Sequence, residues 1–473
     1  MRKADECAAV TGKVPVGEMP DVRPGRLPAD EIERNFKDLH PPLTRPEALV
    51  ESDRCYFCYD APCTTACPTG IDIPGFIQKI RSNNIRGSAH TILRENIMGG
   101  MCARVCPTEV LCEEACVRNT HEDKPVAIGL LQRYATDPVL ENNVALFSRA
   151  APSGRRVAVV GAGPAGLSCA HRLSMLGHDV VVFNRDAKPG GLNEYGIAAY
   201  KTVDDFAQRE IDYILALGGI EVVSESLYGK DVSLAMLREE FDAVFLGVGL
   251  AGSNKLGIEN EDAPGVLNAI DYIRQLRQAT DKGLLPVGRR VVVIGGGMTA
   301  IDIAVQSKLL GAESVDLVYR RGPADMGASR YEQELAQTHG VHIRHWARPK
   351  RILADDRVLG VEFERTAIDN AGGLIATGEF WSLDADVVFK AVGQKLVFEA
   401  GADNVLLQRE KGKLVVDAEQ RTSLPGVWAG GDCVAPGDDL TVTAVQHGKL
   451  AAISIDRYLR EDASAESRAE KGT

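Results

Sequence analysis

The spacing of apolar and polar residues differs between the N-terminal third of the chain and the rest. From Asp30 to about Asp137 the pattern is helical. Later, two short apolar runs, Val157–Val160 and Val291–Ile294, have the character of buried strands, and each leads through a glycine-rich loop into a helix. The second run and its surroundings repeat the first. The pattern therefore predicts an α/β protein, with a helical N-terminal domain followed by two α/β units of one type.

Both glycine loops carry the fingerprint of a dinucleotide-binding unit. In this fingerprint the first glycine makes a tight turn, the second lets the backbone approach a pyrophosphate, and the third position packs the helix against the strand. The pyrophosphate lies at the helix N-terminus, where free N–H groups favour anions. The loop residues are Gly161, Ala162, Gly163, Pro164, Ala165 and Gly166 in the first unit and Gly295, Gly296, Gly297, Met298, Thr299 and Ala300 in the second.

The strands that follow the loops indicate which nucleotide each unit binds. In the second unit Arg320 and Arg321 stand where an NAD-binding unit carries an acidic residue for the ribose 2′-hydroxyl. Arginine accommodates a 2′-phosphate, so this unit is predicted to bind NADPH, the alternative being two solvated surface arginines. In the first unit Asn184 stands where glutamate is usual, and it can bond a ribose hydroxyl more weakly than a carboxylate. Near the C-terminus, GVWAGGDC ends a further strand at Asp432, an acceptor suited to the ribityl hydroxyls of a flavin.

Composition and charge exclude several classes of protein. The 473-residue chain is 45% hydrophobic and 25% charged, which is typical of a globular protein with two or three domains. Its net charge of −12 argues against binding to nucleic acid or to an anionic membrane. The N-terminal residues lack the apolar core of a signal peptide, and no apolar run reaches the length of about 18 residues that a membrane span needs. We therefore expect a cytoplasmic protein with reduced thiols.

Two runs of cysteine have spacings that point to metal binding. The first is C-x2-C-x4-C-x3-C-P and the second is C-x3-C-P-x4-C-x3-C. The first resembles the bacterial ferredoxin pattern, whose fourth cysteine binds the other of two clusters. Zinc and unliganded thiols are the alternatives, but a redox-inert metal has no evident purpose beside a flavin and a nicotinamide. The spacing therefore favours two 4Fe–4S clusters. The eight cysteines are Cys55, Cys58, Cys63, Cys67, Cys102, Cys106, Cys112 and Cys116.

Three further cysteines lie apart from these runs. Cys7 lies in the N-terminal arm, and Cys169 lies in the first Rossmann helix, where a small packing residue is the simpler reading. Cys433 follows Asp432 but has no second cysteine near it in sequence. A disulfide reductase would need such a pair beside its flavin, so that function is set aside.

With these motifs assembled, the chain resembles the flavin- and cluster-bearing subunits of dihydropyrimidine dehydrogenases. It is also similar, less closely, to the small subunit of glutamate synthase. The resemblance runs from about Asp30 to Leu459 and is carried by NFKDLHPPL, CYFCYDAPCTTACP, MCARVCPTEVLCEEAC, IGLLQRYATD, GAGPAG, GGGMTA and WAGGD. It implies FAD in the first Rossmann unit, with the NADPH unit inserted into the FAD domain and two 4Fe–4S clusters in the helical domain.

The resemblance also implies a ligand set that differs from the one expected from spacing. It assigns Cys55, Cys58, Cys63 and Cys116 to one cluster and Cys67, Cys106, Cys112 and Gln132 to the other. Spacing would instead use Cys102 and leave Gln132 on a helix surface. Gln132 further separates the two relatives, because the glutamate synthase subunits carry glutamate at this point.

Cofactor contacts follow from the resemblance in the same way, with some departures. Lys201 stands where a flavin-contacting arginine is typical, and Gly327 stands where a third phosphate-binding arginine is found. Neither departure overturns the cofactor assignment. The implied FAD contacts are the Gly161–Gly166 loop, Asn184, Gly190, Gly191, Leu192, Lys201, Leu227, Asp432, Thr441 and Val442. The implied NADPH contacts are the second glycine loop, Arg320, Arg321, Ala391, Val392 and Gly393.

These motifs predict a division into six segments. They are a flexible arm at 1–29, a helical iron–sulfur domain at 30–150, the first part of the FAD domain at 151–285, the NADPH domain at 286–395, the second part of the FAD domain at 396–462, and a disordered tail at 463–473.

The cofactors predict a path for electrons. NADPH reduces the flavin by hydride transfer, and the flavin passes electrons singly to the clusters. No catalytic acid–base residue is required, and the sequence shows neither an FMN barrel nor a pyrimidine pocket. The leading hypothesis is therefore the NADPH-oxidising subunit of dihydropyrimidine dehydrogenase, with an FMN-containing, pyrimidine-reducing partner. The alternatives are an electron-input subunit of glutamate synthase or a related oxidoreductase, and a non-catalytic redox sensor.

Overall fold

The computed structural model describes residues 21–398, 406–435 and 437–471, with side chains as far as Glu461. The described residues form two compact units: residues 21–37 with 253–393, and residues 38–252 with 394–398, 406–435 and 437–471. We call the first the inserted unit and the second the main unit. The inserted unit interrupts the main unit, as the sequence predicts for a nicotinamide domain within an FAD domain.

Helices and strands alternate after a helical N-terminal region. The helices are α1 (Ala29–Asn35), α2 (Arg45–Asp53), α3 (Pro62–Ala66), α4 (Ile73–Arg81), α5 (Ile85–Glu95), α6 (Gly99–Val105), α7 (Asn119–Glu122), α8 (Ile128–Glu141), α9 (Pro164–Met175), α10 (Leu192–Tyr195), α11 (Phe206–Leu215), α12 (Leu234–Glu240), α13 (Ala269–Gln278), α14 (Met298–Leu309), α15 (Arg330–Thr338) and α16 (Thr441–Lys471). The strands are β1 (Val22–Arg23), β2 (Arg156–Val160), β3 (Asp179–Phe183), β4 (Ile220–Val223), β5 (Ala243–Leu246), β6 (Gly252–Ser253), β7 (Val266–Asn268), β8 (Val287–Gly288), β9 (Arg290–Gly295), β10 (Ser314–Val318), β11 (Val341–Arg344), β12 (Ala347–Ala354), β13 (Val358–Ile368), β14 (Leu374–Asp384), β15 (Val387–Ala391), β16 (Gln394–Lys395), β17 (Arg409–Glu410), β18 (Lys413–Leu414) and β19 (Val427–Ala429).

The main unit contains a five-stranded parallel sheet in the order β19-β5-β2-β3-β4. Its strands read as apolar runs because both faces are buried, and Val157, Val159 and Phe245 are fully enclosed. The strand order reverses at β2, and in open parallel sheets ligands bind at the carboxyl ends of the strands beside such a reversal. The first glycine loop follows β2, so the topology places it at the expected ligand position.

The inserted unit repeats this design. Its parallel sheet has the order β11-β10-β9-β15-β7, so its order also reverses at the strand that precedes a glycine loop, β9. An antiparallel sheet, β12-β13-β14, connects β11 to β15. The fold class predicted from the sequence is confirmed: a helical N-terminal region precedes two nested Rossmann-like units.

The helices between α2 and α8 surround the cysteines. Side chains cap the N-termini of two of these helices. Asp72 accepts from the Gly75 N–H at the start of α4, and Asn84 accepts from the Gly87 N–H at the start of α5, both at 2.9 Å. Phe76, Ile92 and Leu131 lie in the core that these helices share. Several cysteines pack against the same core, which is why the helical region can hold them at fixed positions: Cys55, Cys63, Cys67, Cys112 and Cys116.

The structure near the two ends of the chain can be compared with the arm and the tail predicted from the sequence. Residues 1–20 of the expected flexible arm, and Cys7 with them, lie outside the described residues. Residues 21–29 contain β1, which pairs with β8, and the start of α1. The helix α16 continues through most of the expected tail, to Lys471. Among the described residues, no helix combines the length and the apolar character that crossing a membrane would need.

Candidate cofactor sites

The first glycine loop leaves the N-terminus of α9 open. Gly161 has a φ of +97°, which favours glycine, and a Cβ on Gly166 would lie 1.8 Å from the Gly161 carbonyl oxygen. Both positions therefore require glycine. A Cβ on Gly163 would meet only the Gly191 Cα, at 3.9 Å, so the backbone there is accessible. An accessible helix N-terminus after a buried strand fits the pyrophosphate of FAD.

Two other glycine pairs border this loop. The Gly190 N–H donates to the Ala162 carbonyl oxygen at 2.7 Å, and a Cβ on Gly191 would lie 2.8 Å from the Gly163 Cα. On the opposite side, a Cβ on Gly431 would lie 3.0 Å from the Ala165 Cβ. The structure thus brings together the predicted flavin residues from three separate stretches of sequence.

Asp432 lies beside this loop, directly after the Gly430–Gly431 turn. Burial raises the pKa of the Asp432 carboxyl to about 6, with Asp439 adding to the shift and Lys413 opposing it. A half-buried carboxyl at the C-terminal end of β19 is an acceptor for hydroxyl groups, which agrees with its predicted role at the ribityl chain.

Asn184 lies at the C-terminal end of β3, where a ribose-binding residue is expected. Its Nδ2 donates to the carbonyl oxygens of Asp186, at 2.7 Å, and Lys188, at 3.0 Å. These bonds fix the turn that leads to Gly190. Asn184, which is predicted to contact the ribose, therefore also shapes this loop.

The start of α16 also faces the predicted FAD contacts. The Thr441 hydroxyl donates to Asn193 Oδ1 at 2.8 Å, beside Leu192 at the start of α10, and Val442 is buried. Two other predicted contacts belong to neighbouring loops of the main unit. Lys201 is 9% exposed, and Leu227 is half-buried, with its N–H donating to Asp231.

The second glycine loop has matching geometry in the inserted unit. A Cβ on Gly295 would lie 2.3 Å from the Ala391 carbonyl oxygen, and a Cβ on Gly296 would lie 2.4 Å from the Tyr319 ring. A Cβ on Gly297, in contrast, would meet nothing within 4 Å. The backbone before α14 is therefore tightly packed on one side and open on the side where a pyrophosphate would bind. Met298, Thr299 and Ala300 form the first turn of that helix.

Two exposed arginines stand next to this loop. The backbones of Arg320 and Arg321 are held in place, because their carbonyl oxygens accept from the Thr366 hydroxyl at 2.7 Å and the Trp346 N–H at 3.2 Å. Neither guanidinium forms an ion pair with any residue that the structure describes. Unpaired positive charge at the C-terminal end of β10 fits a 2′-phosphate.

The loop after β15 completes the site in the inserted unit. Asn254 fixes it, since its N–H donates to the Gly393 carbonyl oxygen at 3.0 Å and its Nδ2 to that of Val392 at 3.2 Å. Ala391, the first of the predicted nucleotide contacts Ala391 to Gly393, pairs with Gly295 across β15 and β9, so this loop begins beside the second glycine loop.

Four cysteines of the helical region surround one cavity. Burial raises the pKa of the Cys63 thiol to about 11, and the neighbouring Cys55 and Cys116 add to the shift. Such a ring of thiols is the donor set of a 4Fe–4S cluster, and it is the set that the family resemblance implies. No group of three or more His, Cys, Asp or Glu among the described residues is arranged to hold a single metal ion. The residues lining the cavity include Cys55, Cys58, Cys63, Cys116, Ile73, Ile77, Val126 and Ile128.

The other cysteines form a second group. The pKa of Cys106 is raised well above its usual value, first by a hydrogen bond with Cys102 and then by burial, with Cys112 and Cys67 adding to it. Gln132 is buried on α8, and its Nε2 donates to the Gly99 carbonyl oxygen at 2.7 Å. Both candidates for the fourth ligand are thus attached to α6, because Cys102 lies on it and Gln132 bonds to its first residue.

The two remaining described thiols are fully buried. Cys169 is fully buried in α9, and burial raises its pKa well above the usual value. Burial likewise raises the pKa of Cys433 to about 12. A buried thiol with so high a pKa is a poor nucleophile, so neither residue has the character of a disulfide-reductase cysteine.

Sequence reasoning missed two residues that shape the flavin site. His447 Nδ1 accepts from the Gly431 N–H at 3.2 Å and so holds the turn before Asp432. Asn193 accepts from Thr441, as described above. Neither residue belongs to a motif, and only the meeting of α16 with β19 and α10 reveals them.

Two family models match the chain. Residues 32–144 match the model described as dihydropyrimidine dehydrogenase domain II, 4Fe-4S cluster. Residues 155–448 match the model for pyridine nucleotide-disulphide oxidoreductases. The first model covers the cysteine-bearing helices, and the second covers both glycine loops.

Full-length relatives share this organisation. The chain is 35% identical over 433 residues to the NAD-dependent dihydropyrimidine dehydrogenase subunit PreT homolog of Salmonella typhi, covering 91% of this chain and 99% of the relative. It is 34% identical over 460 residues to the glutamate synthase [NADPH] small chain of Escherichia coli, covering 93% of this chain and 97% of the relative. Among solved structures, FprA of Mycobacterium tuberculosis in complex with NADPH has a TM-score of 0.56 at 20% identity, covering 66% of this chain and 86% of that one, and so shares the fold.

These similarities confirm the resemblance inferred from the motifs, and with it the classes of cofactor. The chain combines a 4Fe–4S domain with a pyridine nucleotide oxidoreductase domain, and its relatives include dehydrogenase subunits. It is therefore an oxidoreductase, as the sequence predicts. The chain belongs to the pyridine nucleotide-disulphide oxidoreductase family and, within it, to the NAD(P)H-dependent FAD and iron–sulfur oxidoreductase subunits that include PreT and the glutamate synthase small chain.

Proposed function

We propose that the chain is the NADPH-oxidising subunit of a dihydropyrimidine dehydrogenase. Electrons would pass from NADPH to FAD, then through two 4Fe–4S clusters to an FMN-containing partner subunit that reduces uracil or thymine. The observation that carries this proposal is that both cysteine groups and the FAD-type sheet belong to one compact unit. The relatives named as dihydropyrimidine dehydrogenase subunits support the choice of partner.

The ligand and contact assignments form part of this proposal. One cluster is bound by Cys55, Cys58, Cys63 and Cys116, the four thiols that share a cavity. The other is bound by Cys67, Cys106, Cys112 and the Oε1 of Gln132, whose Nε2 is already held by Gly99. The FAD and NADPH contacts predicted from the sequence are proposed unchanged. A cytoplasmic location is proposed as well, because cysteines stay reduced there and remain available as ligands.

The choice of nicotinamide rests on the two exposed arginines. The PreT relatives are named as NAD-dependent, whereas the glutamate synthase relative is named with NADPH. Because Arg320 and Arg321 have no ion-pair partner among the described residues, they are available for a 2′-phosphate. We therefore assign NADPH to the inserted unit.

A second candidate is an input subunit for glutamate synthase. It is favoured by 34% identity over 93% of this chain with a glutamate synthase small chain. Gln132 weighs against it, because the resemblance places glutamate there in that group. A third possibility, a redox sensor without catalysis, would be excluded if the chain turned over NADPH rapidly.

The test uses the full chain loaded with FAD and iron. It should oxidise NADPH rapidly with ferricyanide, because reduced flavin and clusters can unload to any nearby acceptor. It should not reduce uracil or thymine alone, and it should do so once an FMN-containing pyrimidine subunit is added. Uracil reduction by the chain alone would refute the division of labour, and glutamate formation with a glutamate synthase large subunit would favour the second candidate.

A further inference from the structure

A buried lysine connects the last helix of the main unit with the turn after Cys67. Lys449 lies on α16, only 8% exposed, immediately after Gly448. Its ammonium donates to the Thr69 carbonyl oxygen at 2.9 Å and to Glu95 Oε2 at 3.1 Å. The helix that begins at the predicted flavin contact Thr441 thus touches the cysteine-bearing loop directly.

Thr69, which accepts from Lys449 through its carbonyl oxygen, also contacts the sulfur of Cys67 through its hydroxyl. It is 3% exposed, and its Oγ1 lies 3.3 Å from Cys67 Sγ. A cysteine that binds a cluster is a thiolate without a proton, so the threonine hydroxyl must then be the donor. The turn therefore offers a hydrogen bond to a ligand sulfur, with a buried positive charge directly behind it.

The charge of Lys449 is not cancelled by its partner. The Glu95 side chain is 28% exposed and is shared with Arg94, whereas that of Lys449 is 11% exposed. Water screens the carboxylate more than the ammonium, and the ammonium lies on the side of the turn. Within this ion pair, the positive charge is therefore the nearer and the less screened of the two on the side of the Cys67 turn.

We propose that Thr69 and Lys449 are positioning residues that raise the reduction potential of the cluster bound by Cys67. Reduction of a cluster bound there would add one electron, and therefore one negative charge, beside Thr69 and Lys449. Hydrogen bonds to the ligand sulfurs and the local charge set the potentials of such clusters, and both favour the more negative state here. The inference rests on the proposed function only in requiring that Cys67 binds a cluster.

The test is a redox titration of the cluster-loaded full chain with dithionite and mediators, followed by electron paramagnetic resonance. In Lys449→Met and in Thr69→Val, the ratio of reduced to oxidised cluster at a fixed potential should fall about tenfold for one cluster, which is about 59 mV for one electron. The other cluster should change less. Lys449→Arg and Thr69→Ser keep the charge and the hydroxyl, so they should keep the wild-type ratio.

The outcomes separate this inference from the proposed function. A wild-type chain that binds no iron would overturn both. Unchanged ratios in Lys449→Met and Thr69→Val, in a chain that holds its iron and oxidises NADPH, would overturn the inference alone. Loss of iron in both variants would also overturn it, because the residues would then anchor the loop rather than set the potential.

Discussion

At the scale of single residues, the departure from the usual ribose-binding glutamate has a physical reason. The Asn184 amide donates two hydrogen bonds to the backbone of its own turn, and a glutamate could donate neither. That turn leads to Gly190, which bonds to the first glycine loop. At the predicted ribose position, asparagine therefore lacks the negative charge of glutamate but fixes the turn beside the first glycine loop.

Arg320 and Arg321 should determine the preference between nicotinamides. Replacing both by alanine should raise the KM for NADPH relative to that for NADH by about tenfold or more, since charge-assisted hydrogen bonds contribute roughly 1.5–3 kcal/mol each. Steady-state kinetics with ferricyanide measures the ratio. Arg330→Ala is the matched control, because Arg330 is exposed and already paired with Glu334 at 2.9 Å. An unchanged ratio of the two KM values would contradict the prediction, because the two arginines would then be solvated surface residues without a role in nicotinamide binding.

Cys102 and Gln132 compete for one ligand position. If Gln132 is the ligand, Cys102→Ser should retain about eight irons per chain, as two cubanes require, whereas Gln132→Ala should lose iron. Iron analysis and absorbance measure this directly, with the buried Cys169→Ser as a control thiol. The reverse result would assign Cys102, which is already hydrogen-bonded to Cys106.

Glu210 should make stability depend on pH. Burial raises its pKa to about 8, although it accepts from the Gly100 and Met101 N–H groups. The unfolded chain loses this proton near the ordinary carboxyl pKa while the folded chain retains it, so stability from this group falls as pH rises from about 4.5 to about 8. Glu210→Gln should flatten that part of the Tm–pH curve, whereas the exposed Glu141→Gln should not. Parallel curves for Glu210→Gln and wild type would contradict this.

At the scale of elements, the sequence predicts the strands and helices that a short continuous stretch of residues specifies. Buried strands β2 and β9 appear as apolar runs, and the glycine fingerprint fixes the helix that follows each of them. Contacts between distant elements carry no such signal. Nothing in the sequence around Lys449 or His447 indicates that α16 reaches the Cys67 turn and the Gly431 turn. The sequence predictions for the candidate site therefore cover its loops and the start of α16, but not the contacts made by later residues of that helix.

The approach of α16 to α9 should tolerate no side chain at Gly448. A Cβ there would lie 2.1 Å from the Ala165 carbonyl oxygen and 2.9 Å from the Cys169 backbone nitrogen, and these backbone atoms of α9 cannot move aside as the end of a flexible side chain could. Gly448→Ala should lower the free energy of unfolding by about 1–3 kcal/mol and reduce FAD retention, because Ala165 lies in the pyrophosphate loop. Thermal unfolding and bound-flavin absorbance measure both effects. Ile453→Ala, on the exposed face of α16, should change neither, and equal effects in the two variants would contradict the packing explanation.

At the scale of the whole molecule, the predicted nicotinamide site belongs to one compact unit and the predicted flavin and cluster sites belong to the other. Residues 253–393 form a compact unit that interrupts the main unit, in which the flavin-type sheet and both cysteine groups reside. The order of motifs predicts this nesting. The pairing of β1 with β8, which adds residues 21–37 to the inserted unit, was not predictable because so short a strand has no periodicity to detect.

This arrangement predicts that one cluster can be removed without stopping flavin reduction. In Cys63→Ser the cavity shared with Cys55, Cys58 and Cys116 loses a ligand, while both glycine loops keep their contacts. Uracil reduction with an FMN-containing partner should therefore be lost, because it needs the complete path, whereas more of the NADPH-to-ferricyanide reaction should survive. Cys169→Ser, which alters a buried thiol outside both groups, should keep both reactions. Full uracil reduction by a Cys63→Ser protein that has lost this cluster would show that electrons leave the chain by another route.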